Sequence, residues 1–205
     1  MDINASERPR RCDKLKENSK FILKLGIILF LIVSVSTLAL SVVNYITKDI
    51  IVQKNAELQD NARRNVMADA DSFEIVKDYK PVSEYVTEVY TAYTGKNRIG
   101  YCVNISPVGY GGKIDMIVGI NDNFTVSGVN IVSMSETAGL GANSVKPEFL
   151  DRYKGKTQGM TVVKSPTDDT NTINALSGAT ITSKAVTEGV NLAIAEAKNI
   201  KEVTK

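Results

Sequence analysis

Ser177-Gly178-Ala179-Thr180-Ile181-Thr182-Ser183 sets a glycine and four hydroxyls on a turn directly before an amphipathic run. From Thr182 to Asn199 the residues Ala185, Val186, Gly189, Val190, Ala193, Ile194 and Ala197 recur at helical spacing, which predicts a C-terminal helix with one buried face. The first-turn N–H groups of such a helix lack intrahelical acceptors and form the positive end of its dipole, so an anion such as a phosphate is stabilised at the turn. A plainer reading stays open beside it, in which Thr182 or Ser183 only caps the helix.

Upstream of this helix the pattern changes to strands. Tyr85, Thr87 and Val89 alternate with Val86, Glu88 and Tyr90, and further short runs at 98–106, 113–120 and 125–133 are separated by the turn-forming residues of 107–112 and 121–123. These spacings predict an antiparallel meander. A short helix is expected at 147–153 and brief strands at 161–164 and 170–174. The expected class is therefore α+β, a sheet with helices packed on it.

The N-terminal quarter is of another kind. Residues 25–46, LGIILFLIVSVSTLALSVVNYI, carry no charge over 22 positions, enough helix to cross a hydrocarbon layer of roughly 30 Å. An uncleaved anchor is the preferred reading. A cleavable signal peptide is the rival, weighed down by the length of the apolar run and by 41–45, which lacks a clean small-x-small site. Up to residue 48 there are eight basic and four acidic residues, seven of the basics before the span, whereas the rest carries 17 basic and 19 acidic residues. The positive-inside rule then puts residues 1–24 in the cytoplasm, 25–46 in the membrane and the remainder outside, in the bacterial case anchored to the inner (plasma) membrane. Residues 47–80 are read as a helical connector, as a stalk or folded back, and 81–205 as one extracytoplasmic domain.

Composition excludes several chemistries. The chain has no histidine, and its two cysteines, Cys12 and Cys102, fall on opposite sides of the membrane in this topology, so no disulfide is expected. The usual ligands for zinc, haem or iron–sulfur sites are missing, no metal site and no catalytic residue is assigned, and redox chemistry would need a borrowed organic cofactor. A mildly acidic domain without a basic, aromatic-interleaved stripe disfavours nucleic-acid binding.

Asn174-Ala175-Leu176-Ser177-Gly178-Ala179-Thr180 resembles the flavinylation motif of FMN-binding domains, Asp-x-x-Ser/Thr-Gly-Ala-Thr/Ser, with Asn174 where the family usually has Asp. The resemblance implies FMN held covalently, through its phosphate, on the hydroxyl of Thr180, placed there from FAD by a dedicated flavin transferase. Ser177, Gly178 and Ala179 would form the turn around the linkage. Ser135-Glu136-Thr137-Ala138-Gly139-Leu140-Gly141 is a Gly-rich turn that needs no function, but it also resembles the Glu-Thr-Pro-Gly-Leu-Gly segment of the same family, with Ala138 in place of proline. That likeness implies a flavin-side loop made by Glu136, Thr137, Gly139, Leu140 and Gly141. The stretches 109–112 and 149–156 agree with family segments as well. Lys184 and Tyr110 are weaker candidates, for phosphate charge and ring stacking, against a solvated helix lysine and a surface tyrosine.

In layout the chain is similar to the G subunits of Rnf-type ion-translocating electron transport complexes. The implied role is an electron relay within a membrane-bound ferredoxin:NAD oxidoreductase coupled to Na⁺ or H⁺ transport, with the other membrane subunits as partners. Two flavin alternatives stay open, a stand-alone anchored carrier and the C subunit of the sodium-translocating NADH:quinone reductase. A third is a non-redox anchored sensor or adhesion module.

Overall fold

The computed structural model describes residues 8–203 apart from 166 and 168. Part of the expected cytoplasmic segment, residues 1–7, and the chain's last two residues lie outside the described residues. Two compact units divide at Lys54 and Asn55.

Helix α1 runs Arg8–Val66. In the first unit its apolar stretch is exposed, with Leu40 71% and Phe30 70% accessible, and none of its most apolar 18-residue window is buried. Such a surface needs a hydrocarbon neighbour. Its hydroxyls are satisfied within the helix: Ser36 Oγ donates to the Ile32 carbonyl at 2.9 Å, Thr37 Oγ1 to Val33 at 2.8 Å and Thr47 Oγ1 to Val43 at 2.7 Å, which removes the penalty of an unpaired donor in lipid.

The second unit is built on a five-stranded antiparallel sheet whose strands pair in chain order: β1 (Ser72–Ile75), β2 (Val86–Thr94), β3 (Asn97–Ile105), β4 (Ile114–Asn121) and β5 (Val126–Met134). The meander expected from alternation is there, with strand ends within a few residues of the predicted ones. After β5 come a 3₁₀ turn (Gly141–Val145), α2 (Pro147–Leu150), a second 3₁₀ turn (Asp151–Tyr153), the short parallel pair β6 (Thr161–Val163) and β7 (Thr172–Asn174), and α3 (Thr180–Val203). One face of the sheet forms the main core with α3, where Val103, Ile105, Met116, Val118 and Ile120 meet Val186, Val190, Ala193, Ile194 and Ala197, all at most 1% exposed. Asn191 ties α3 to the residues that lead into β6, its Oδ1 accepting from the Gly159 and Met160 amides at 2.9 and 3.0 Å and its Nδ2 donating to the Met160 carbonyl at 2.9 Å.

On the opposite face, part of the 47–80 stretch lies against the sheet, as in the folded-back alternative and not as a free stalk. Ala62, Val66, Met67 and Ala70 pack on Ala92, Cys102 and Ile117, and β1 extends the sheet beside β2. No glycine or proline interrupts residues 47–66, so helix continues to the sheet. The four residues of β1 are too few for alternation to register.

Cys102 is a free, buried thiol beneath this layer. Burial pushes its pKa up to about 12, and the nearby Arg63 guanidinium offsets this only in part. The preference for the neutral thiol is fully in place below the ordinary value of 9.0 and is lost as pH rises from there toward 12. Because the thiolate is the reactive form, the Cys102 peptide is expected to resist iodoacetamide at neutral pH and to label only in denaturant; rapid labelling of the native protein would contradict this burial.

Candidate functional site

Helix α3 starts at Thr180, two residues before the start expected from periodicity. The hydroxyls behind it are committed elsewhere. Ser183 Oγ donates to the Ala179 carbonyl at 2.9 Å and accepts from the Leu176 amide at 3.0 Å, while Thr182 Oγ1 donates to Glu136 Oε2 at 2.8 Å. Both residues are buried, so the plain capping role proposed for them is not the one they play: they fasten the turn and a second loop. Gly178 supplies φ 71°, a left-handed conformation that other residues rarely adopt, and so lets the chain reverse into the helix.

Three segments far apart in sequence meet here. The β3–β4 connection, the loop after β5 and the first turn of α3 enclose a cavity of about 460 Å³. Thr180, Gly178, Ala179, Glu136, Thr137, Leu140 and Gly141 line it, as does Tyr110. Ser177 and Gly139 open instead onto a neighbouring depression of about 410 Å³, beside Lys146 and Arg152. Lys184 is exposed on α3 and is not among the described residues lining either concavity. Ile181 and Thr182 were not singled out for ligand contact by sequence, yet both line the cavity; their place in the first helical turn is the signal that marks them. Thr180 is half-buried and, among the described residues, its hydroxyl makes no hydrogen bond.

The loops are fastened through Glu136. Its Oε1 accepts from the Gly111 amide at 3.0 Å and its Oε2 from Thr182 Oγ1. A β-carbon at Gly141 would lie 2.5 Å from Glu136 Oε2 and 2.6 Å from Thr182 Oγ1. Gly141→Ala is therefore expected to open the Glu136–Thr182 contact and to lower ligand occupancy by about fivefold or more, while costing about 1–2 kcal/mol of stability, because the two closest atoms are side-chain ends that can move and the next, Glu136 Cβ, lies 3.0 Å away. Occupancy and thermal melting of the same preparation check this together. On the far flank, Arg152 Nη1 donates to the Asn174 carbonyl at 2.7 Å and Nε to the Glu148 carbonyl at 2.9 Å, anchoring the strand that leads into the turn.

A further concavity of about 490 Å³ lies on the α1 side of the sheet, between Asn55, Gln59, Glu88, Asn104 and Asp115. Ser106 Oγ donates to Asp115 Oδ1 at 2.6 Å and Asn104 Nδ2 to Glu88 Oε2 at 3.2 Å, while Asn104 Oδ1 is buried without a partner among the described residues, and none of the candidate site residues lines this concavity.

Residues 109–195, which contain the three joined loops, match the family described as the FMN-binding domain. Over 93% of its length the chain is 35% identical to the G subunit of the Na⁺-translocating ferredoxin:NAD⁺ oxidoreductase complex of Acetobacterium woodii, covering 98% of that protein. It is 38% identical, over 78% of its length and 83% of the relative, to the G subunit of the proton-translocating ferredoxin:NAD⁺ oxidoreductase complex of Clostridium ljungdahlii. The chain belongs to the family of G subunits of ion-translocating oxidoreductase complexes. The crystal structure of the C subunit of the Na⁺-translocating NADH-quinone reductase from Parabacteroides distasonis shares the fold, with a TM-score of 0.51 at 20% identity over 75% of this chain and 96% of that one. With this membership the apolar stretch of α1 is a membrane anchor, the one helix among the described residues long and apolar enough to span.

Proposed function

We propose that the protein is the flavin-carrying electron-relay subunit of a membrane-bound ferredoxin:NAD⁺ oxidoreductase that couples electron transfer to ion transport, with FMN joined through its phosphate to Thr180. The observation that carries the reading is the convergence of Thr180, at the start of α3, with the Glu136–Gly141 loop and Tyr110 around one cavity.

The residues fit the cofactor. A phosphodiester at Thr180 lies on the positive end of α3, worth about 0.3–1 kcal/mol to an anion there. Gly178 and Ala179 keep the approach to the hydroxyl open, and a β-carbon at Gly178 would already be 2.9 Å from Leu140 Cδ2. Exposed Tyr110, Leu140 and Ile181 give a planar apolar ring surfaces to lie against. Bound FMN supplies the electron chemistry; the chain fixes it in place, and the covalent bond keeps it from diffusing away.

Attachment is a group transfer in which the Thr180 oxygen bonds to the FMN phosphorus of FAD, AMP leaves and the hydroxyl proton passes to solvent, on a flavin transferase that recognises 174–180. The basic residues before the span support a topology with residues 1–24 in the cytoplasm and the flavin domain outside, next to the other membrane subunits. The anchor confines the domain to one plane and raises its encounter rate with partner cofactors.

Intact mass of the full chain, co-expressed with a flavin transferase, followed by peptide mapping, tests the proposal. A mass increase equal to one FMN phosphoester on the Thr180 peptide is expected. An unmodified, colourless protein beside an active transferase would favour the non-redox module.

A further inference from the structure

Among the described residues lining the cavity at Thr180 there is one carboxylic acid and no lysine or arginine. Glu136 is fixed from both ends of its carboxylate. One oxygen takes a hydrogen bond from the Gly111 amide and the other from Thr182, which is 1% exposed and belongs to a different segment. Glycines make room around it: a β-carbon at Gly109 would collide with Oε1, and one at Gly141 would come 2.5 Å from Oε2. A clasp between loops does not by itself need a charge. A glutamine could accept from the Gly111 amide through its carbonyl and donate to the Thr182 hydroxyl, which can serve as acceptor.

We infer that Glu136 is a positioning residue that sets the reduction potential of the flavin, its carboxylate keeping the bound FMN a stronger reductant than the same site would with a neutral side chain. The inference rests on the FMN reading of the preceding subsection. Reduction adds electrons to the ring, and a fixed negative charge facing the same cavity opposes that addition by Coulomb repulsion. Both hydrogen bonds hold the carboxylate at the meeting point of the three loops, so its distance to whatever occupies the cavity is set by the fold and not by side-chain rotation. A protein that must pass electrons onward gains from a lowered potential; one that only stores flavin does not need it.

Two variants of the full chain separate charge from clasp. Glu136→Gln can keep both loop contacts and loses the charge, whereas Glu136→Asp keeps the charge and withdraws it by one methylene, straining the bonds. Spectroelectrochemical titration of each, after intact mass has confirmed FMN on the Thr180 peptide, is expected to give a more positive midpoint potential for Glu136→Gln and one close to the wild type for Glu136→Asp. Equal potentials in Glu136→Gln and wild type would overturn the inference and leave Glu136 a clasp. If Glu136→Gln does not fold, Glu136→Ala takes its place: a midpoint more positive than that of Glu136→Asp supports the role of charge, and equal midpoints overturn it. Absence of FMN from the wild-type chain itself would instead strike the parent reading, and the mass measurement tells that case apart.

Discussion

Thr180→Ala is expected to abolish covalent flavin completely while leaving a folded, membrane-anchored protein. Completeness follows from the neighbours. Thr182 and Ser183 are 1% and 0% exposed, and their hydroxyls are already bonded to Glu136 and to the Ala179–Leu176 turn, so neither can present an oxygen to the transferase. Ser177 is exposed but opens onto the neighbouring depression, on the other side of the Gly178 reversal. Stability should move by no more than about 0.5 kcal/mol, because Thr180 is half-buried at the first helical position and alanine is the better helix former. Thr180→Ser, which retains the hydroxyl, is expected to keep the flavin. The measurement is intact mass with a thermal melt of the same preparation, and covalent flavin persisting in Thr180→Ala would move the attachment site elsewhere.

How much of this was legible in the sequence depended on whether the signal was local. The strands β2 to β5 announce themselves because each is long enough for alternation and is bounded by turn residues, and α3 because its apolar stripe repeats over several turns. The loops of the candidate site were singled out for a different reason. Their glycines and hydroxyls are spaced as in the family segments that 136–141 and 177–180 resemble, even though nothing local says the two stretches touch. What sequence could not supply was the partner of each polar group. Thr182 looks like a cap until Glu136, 46 positions away, is placed beside it. Gly109 and Gly141 look like ordinary turn glycines until the carboxylate between them is seen. The role of 55–75 was hidden more deeply, since Ala62, Val66 and Met67 gain their burial only from a sheet face formed later in the chain.

That hidden contact carries the largest stability effect expected in the domain. Gly119 of β4 and Gly128 of β5 are register partners, so two glycines stand side by side across the strands. Glycine within a strand ordinarily weakens it, and a pair calls for a close approach by something else. Here that is the end of α1: a β-carbon at Gly119 would lie 2.5 Å from the Val66 carbonyl oxygen and 3.0 Å from Val66 Cβ, and one at Gly128 would lie 3.3 Å from Val66 Cα. The same carbonyl accepts a hydrogen bond from Ser127 Oγ, which fixes the helix end over the glycine pair. Gly119→Val meets backbone and not a flexible side-chain end, so the helix end must lift, uncovering Val66, Met67 and Cys102, which are at most 3% exposed. A loss of about 3 kcal/mol or more is expected, lowering the melting temperature by roughly 6–12 °C for a chain of this size. Gly128→Ala, with its looser approach, should cost less. Because α3 packs on the opposite face, the FMN attachment proposed at Thr180 should survive in Gly119→Val while Cys102 becomes open to iodoacetamide under native conditions. An unchanged melt with Cys102 still protected would mean that the helix end is not held by the glycine pair.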